Sequence, residues 1–192
     1  KLALNLNHAN VVQTFDIGVS DNTYFIVMEW IDGTQLKAVS ESATQQGFHI
    51  PKQQAAYLIA EVCKGLGHAH QRRDEEGNSL GIIHRDVSPP NVLLSREGEV
   101  KLADFGLAKA QSQLAATDPG VVKGKFGYLS PEAAYGKPVD IRSDVFSAGI
   151  VLWETLAGRR LFNGKTNLET VQLVRAAEIP DLHAINPDID EE

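Results

Sequence analysis

Residues 143–156, Ser-Asp-Val-Phe-Ser-Ala-Gly-Ile-Val-Leu-Trp-Glu-Thr-Leu, are long enough for about four helical turns and apolar on nearly every side. A helix without a polar face has to be enclosed by other elements rather than lie on a surface. Candidates for the enclosing layers are close by in the sequence. Pro51 opens a long amphipathic helix through Ala55, Leu58, Ile59, Val62, Leu66 and Ala69, and residues 166–177 read as another. The pattern also turns helical after Asp32 and Gly33. Strand-like runs at 11–17 and 24–30, joined by Gly18, Ser20, Asp21 and Asn22, predict a hairpin. Ile82 with Ile83, 92–94 and 100–103 read as further short strands. The expected class is α+β, one domain, which 192 residues at 43% hydrophobic and 22% charged can support.

The chain carries a formal charge of -7, and its Lys and Arg form no run that would neutralise a row of phosphates. No nucleic-acid partner is therefore expected. No apolar run approaches the ~20 residues of a membrane span, and a cytoplasmic setting is expected, with a membrane anchor outside this window compatible. The single cysteine, Cys63, excludes an internal disulfide and is expected to be buried on the apolar side of its helix. Residues 72–79 read as a solvated polar insertion and 111–124 as a loop without either period. Gly164-Lys165-Thr166 is not the end of a P-loop, because the earlier Gly158 is one residue too far away and no strand leads into it.

Four polar motifs follow one another: His84-Arg85-Asp86, then Asn91, then Asp104-Phe105-Gly106, then Ser130-Pro131-Glu132. Any one alone occurs by accident in many chains; their order and spacing do not. Phosphoryl transfer needs these residue types. An aspartate beside an attacking hydroxyl can orient it and take its proton, while an amide oxygen and a second carboxylate suit Mg²⁺, a hard cation. Catalysis is then positioning plus neutralisation of phosphate charge.

With these motifs the sequence resembles the protein-kinase family nearly end to end. The resemblance implies a protein-kinase-like fold, with a partial antiparallel-sheet N-terminal lobe and hinge at 1–31 and a mostly helical C-terminal lobe at 32–192. It implies ATP and Mg²⁺, and protein substrates with Ser or Thr acceptors; oligomeric state stays unread. By the same resemblance Asp86 is the catalytic aspartate and Asn91 and Asp104 hold the metal. Met28 is the gatekeeper, Glu29, Trp30 and Ile31 the hinge, and Gln35 and Leu93 further contacts of the nucleotide. His84 is expected to pack and to satisfy backbone. Asp144 is read either as a helix N-cap or as the family's aspartate that accepts backbone N–H bonds from the catalytic loop. Thr117, with Ser112 next, is either an activating phosphosite facing Arg85 or an unmodified loop residue.

The family's glycine loop, strand lysine and helix glutamate find no match, nor does the arginine that pairs with the motif glutamate. The expectation is a window cut at both ends, inactive alone, with Glu132 lacking that arginine. Two positions depart from the family's Ser/Thr pattern. Ser88 stands where a lysine follows the catalytic aspartate, and Lys125 where a threonine follows Gly124. Hydroxyl and ammonium look exchanged, so Lys125 is expected to reach Asp86 and act in catalysis. The Val87-Ser88-Pro89-Pro90 phrase and the acidic insertion before Ile82 are most similar to bacterial Ser/Thr kinases, and Ser/Thr is preferred over Tyr because that phrase lacks the arginine of tyrosine kinases. Two other readings stay open: a pseudokinase or scaffold that binds partners without catalysis, and a small-molecule phosphotransferase.

Overall fold

The computed structural model describes residues 6–21, 23–105 and 125–189. The apolar segment forms a helix, α4 (Ile141–Ala157), once the elements before it are in place. These are β1 (Thr14–Ser20), β2 (Thr23–Met28), β3 (Gly33–Gln35), α1 (Leu36–Gln45), α2 (Lys52–His70), β4 (Val92–Ser95), β5 (Val100–Leu102) and the short α3 (Pro131–Ala134). After α4 comes α5 (Asn167–Ala176). Asp140 caps α4 by accepting from the Arg142 N–H, and Gly158 ends it in the left-handed region that a side chain would strain. Ile150, Val151, Trp153 and Leu156 are buried, and α2 packs along α4 through Val62, Leu66 and Ala69.

Two small antiparallel sheets result, β1–β2 and β3–β4–β5. The hairpin begins later than the sequence predicts, at Thr14 rather than residue 11. Residues 10–12 turn to β5 instead: Val12 N donates to Leu102 O at 3.0 Å and Leu102 N to Asn10 O at 2.9 Å. Asn10 fixes this junction by donating from its amide to Glu61 and to Val100 O. Residues 33–35 are a strand, not the start of a helix, pairing Gly33 with Ser95 and Gln35 with Leu93. Leu94 O lies 1.9 Å from where a Cβ on Gly33 would stand, so only glycine permits that pairing. The expected strand at Ile82 and Ile83 does not form, because the backbone N–H groups that follow bond a carboxylate.

Residues 72–79 form a turn closed on Asp74, whose carboxylate accepts from the Glu76 and Asn78 N–H groups. Cys63 corrects another expectation: it is exposed. The apolar arc of α2 centres on Val62, and the next residue lies about 100° round the helix. Gly164-Lys165-Thr166 is a loop and a helix start, with Thr166 Oγ1 accepting from Glu169 N at the cap of α5. The expected loop at 111–124, with Ser112, Thr117 and Gly124, lies outside the described residues, as does Gly106.

Candidate active site

Because Asp140 does the capping, Asp144 one turn into α4 is left to serve another segment. It is only 1% exposed. Its Oδ2 accepts from His84 N at 2.8 Å and pairs with His70 Nε2 at 2.7 Å; Oδ1 accepts from Arg85 N at 2.8 Å. Arg85 sits at φ 69°, a left-handed backbone that a non-glycine residue adopts only when its surroundings impose it. Of the two roles open for Asp144, the geometry is that of a carboxylate organising the loop.

The His84 ring is fully buried, with Nε2 2.8 Å from Ala103 O and Nδ1 accepting from Asp86 N at 3.2 Å. Burial pushes its pKa down, so the ring stays neutral, and the two bonds define a tautomer protonated at Nε2. Phe105 meets it edge-on with centroids 4.5 Å apart. His84 therefore packs, as expected, and Phe105 packs with it. Asn91 donates from its side-chain amide to Asp86 O at 2.7 Å, while its own carbonyl accepts from Ala103 N at 2.8 Å. One asparagine thus ties the Asp86 turn to the segment carrying Asp104 and leaves its amide oxygen for another ligand. Asp104 is held at φ 64°. Burial pushes its carboxyl up, with the charge of Asp86 adding to the shift and Lys125 opposing it.

Lys125 Nζ lies 2.5 Å from Asp86 Oδ2, the approach that the exchange of ammonium and hydroxyl requires. Ser88 is buried, and its Oγ faces the Asp86 carbonyl at 3.4 Å rather than the carboxylate. The remaining predicted residues are gathered less tightly. Met28, with Val12 and Ile26, lines a crevice reaching Asp104 and Phe105. Gln35 and Leu93 are register partners. Glu29 turns its carboxylate to Lys101 Nζ, 3.0 Å from each oxygen, and to Gln13 N at 2.7 Å. Ile31 is half-buried, but Trp30 is 89% exposed and joins none of them.

Glu132, expected to lack the family's arginine, is bonded by a serine instead. It is half-buried, accepts from Ser143 Oγ at 2.5 Å, and that bond holds its carboxyl below the ordinary value. Two features escaped the sequence reading. His70 closes the bond set of Asp144, but its position at the end of an amphipathic helix gave no sign of it. Glu154, buried near the end of α4, accepts from Tyr128 OH at 2.7 Å, Arg160 Nε at 3.1 Å and Leu161 N at 3.0 Å. A carboxylate in the apolar last turns of α4, with two arginines close behind it, was a legible signal for that cluster.

A buried carboxylate thus organises the loop that carries Asp86 and Asn91, and Asn91 ties that loop to the segment after β5 that carries Asp104, on an α+β scaffold. The family profile for the protein kinase domain matches residues 1–191, and the chain belongs to that family. Among curated relatives it is 36% identical to the tyrosine-protein kinase MasK of Myxococcus xanthus over 100% of this chain and 30% of that protein. It is 36% identical to the serine/threonine-protein kinase PrkC of Bacillus subtilis, over 97% of this chain and 27% of that one. For the serine/threonine-protein kinase PknB of Mycobacterium tuberculosis the identity is 39%, over 93% and 28%. The chain thus spans less than a third of the length of these relatives. The crystal structure of the Mycobacterium tuberculosis PknI kinase domain superposes with a TM-score of 0.71 at 26% identity, covering 98% of this chain and 62% of that one.

Proposed function

We propose that the protein containing this chain transfers the γ-phosphoryl of ATP to Ser or Thr hydroxyls of protein substrates. The observation that carries this is the Asp86 carboxylate, set on a loop pinned by Asp144 and Asn91 and met by the Lys125 ammonium. Asp86 orients the acceptor hydroxyl and takes its proton. Lys125 supplies the positive charge that neutralises the transferring phosphoryl group. The amide oxygen of Asn91 and the carboxylate of Asp104 are the hard donors that would hold Mg²⁺, which neutralises phosphate charge when bound. The donor chemistry fits: Asp104 is a part-buried carboxylate beside a second one, an arrangement that a cation relieves. Among the described residues no group of three His, Cys, Asp or Glu is gathered as a metal cage.

The nucleotide base is assigned to Met28, Glu29, Trp30, Ile31, Gln35 and Leu93. The Glu29 N–H already donates to Gln13 O, so adenine would be met by other backbone groups of 29–31. Residues 1–31 are taken as partial N-lobe and hinge and 32–192 as C-lobe. The site is placed in the cytoplasm, where ATP is; among the described residues no helix is long and apolar enough to cross a membrane.

The name of the MasK relative favours tyrosine as a second acceptor reading. Transfer from γ-labelled ATP by the full-length protein, followed by phosphoamino-acid analysis, separates the two. Phosphoserine or phosphothreonine is expected, lost on the order of 10²-fold or more in Asp86→Asn. Phosphotyrosine alone would overturn the acceptor assignment, and no transfer would overturn the kinase reading in favour of a binding module.

A further inference from the structure

A cleft of about 520 Å³ opens beside Lys125, between α1, residues 88–91 and the C-terminal end of α4. Its charged lining is Lys37, Glu41, Lys125, Glu154, Arg159 and Arg160, four cations against two carboxylates in a chain of net charge -7. The two carboxylates differ in how far they are committed. Glu154 is buried under Arg160, Tyr128 and the Leu161 N–H, and the Arg160 guanidinium is held over the Tyr128 ring at 4.4 Å. Glu41 lies on the exposed rim, 3.8 Å from Lys37 one turn away. Arg159 differs from all of these. It is exposed, its guanidinium lies 5.7 Å from the Trp153 ring centroid, and it makes no ion pair among the described residues. A lysine or arginine entering the cleft would meet two arginines, with Glu154 already bonded and only the rim carboxylate Glu41, which Lys37 faces, to receive it. An aspartate or glutamate would meet Arg159, a cation with no carboxylate partner among the described residues, in a positive patch on an acidic protein.

We infer that this cleft selects acceptor segments in which aspartate or glutamate flanks the phosphorylated hydroxyl, with Arg159 as the selecting residue. The inference rests on the kinase reading above. It is tested on the full-length protein with four peptides sharing one threonine acceptor and flanked by glutamate, glutamine, lysine or phosphoserine. At low ionic strength kcat/KM for the glutamate peptide should exceed that for the lysine peptide about tenfold, mainly through KM, and the ratio should shrink as salt screens the cleft. Arg159→Gln should bring the ratio toward one, and Arg159→Lys, which keeps the charge, should retain most of it. The ratio compares two peptides on one enzyme, so a partly unfolded variant does not imitate the effect. Equal or better use of the lysine peptide, with the glutamine peptide turned over normally, overturns the inference and leaves the kinase reading standing. Preference for phosphoserine over glutamate overturns the assignment to carboxylates. No turnover of any peptide with ATP and Mg²⁺ overturns the kinase reading and this inference with it.

Discussion

Around Asp144 three elements converge on one buried carboxylate, which receives the His84 and Arg85 N–H groups and the His70 ring. In the β1–β2 hairpin, by contrast, Phe15 is 61% and Val19 59% exposed, with Phe25 and Val27 also facing outward. Its ties to the body run through residues 10–12 and the Glu29–Lys101 pair. The contrast teaches that the end of the site proposed to handle phosphate and acceptor is built into the helical core. The end proposed for adenine rests on an element with little burial of its own among the described residues. Preorganisation of charge is what phosphoryl transfer needs most, and it belongs to the better-anchored half.

Asp144→Ala should break the anchored half outright. It strips the partners from a buried and a part-buried backbone donor and a histidine and releases the left-handed Arg85, so a loss of at least about 3 kcal/mol is expected from urea denaturation. A loss below about 1 kcal/mol would mean that the loop is held by something else. Ser143→Ala tests a smaller bond in the same half. Glu132 has its pKa lowered by Ser143 Oγ, so the bond stabilises the fold above the unfolded value of 4.5 and is lost as pH falls through the lower folded value. The expected cost is about 1 kcal/mol at pH 7, fading in acid; a cost that persists unchanged at pH 3 would assign it to packing instead. In the hairpin, Val19→Thr should move stability by no more than about 0.5 kcal/mol. A larger loss would show that this face is covered in the full-length protein and would narrow the contrast.

The anchored half was also the more legible one in the sequence. An apolar helix announces its burial, and the order of His84, Asp86, Asn91 and Asp104 is a local pattern that survives folding unchanged. The hairpin boundaries were misplaced because residues 11 and 12 read as strand continuing into β1, while the hydrogen bonds of 10–12 go to β5, about 90 residues away. Gly33 looked like a helix boundary, and only the 1.9 Å approach of Leu94 O shows why a strand needs it. His70 and Arg159 were passed over for the same reason. A polar side chain at a helix end is ordinary until the fold shows what it faces.

Lys125 joins the two halves of the argument, because its position was read from an exchange of residue types and its ammonium stands 2.5 Å from Asp86. The most direct test of the account is kcat for the full-length protein, Lys125→Ala, and the double change Ser88→Lys with Lys125→Thr. The account predicts a loss on the order of 10²-fold for the single variant, with KM for ATP little changed and part of the loss recovered in the double variant. An unchanged kcat in Lys125→Ala would contradict it, leaving the ion pair as a surface contact and Asp86 to work without that charge.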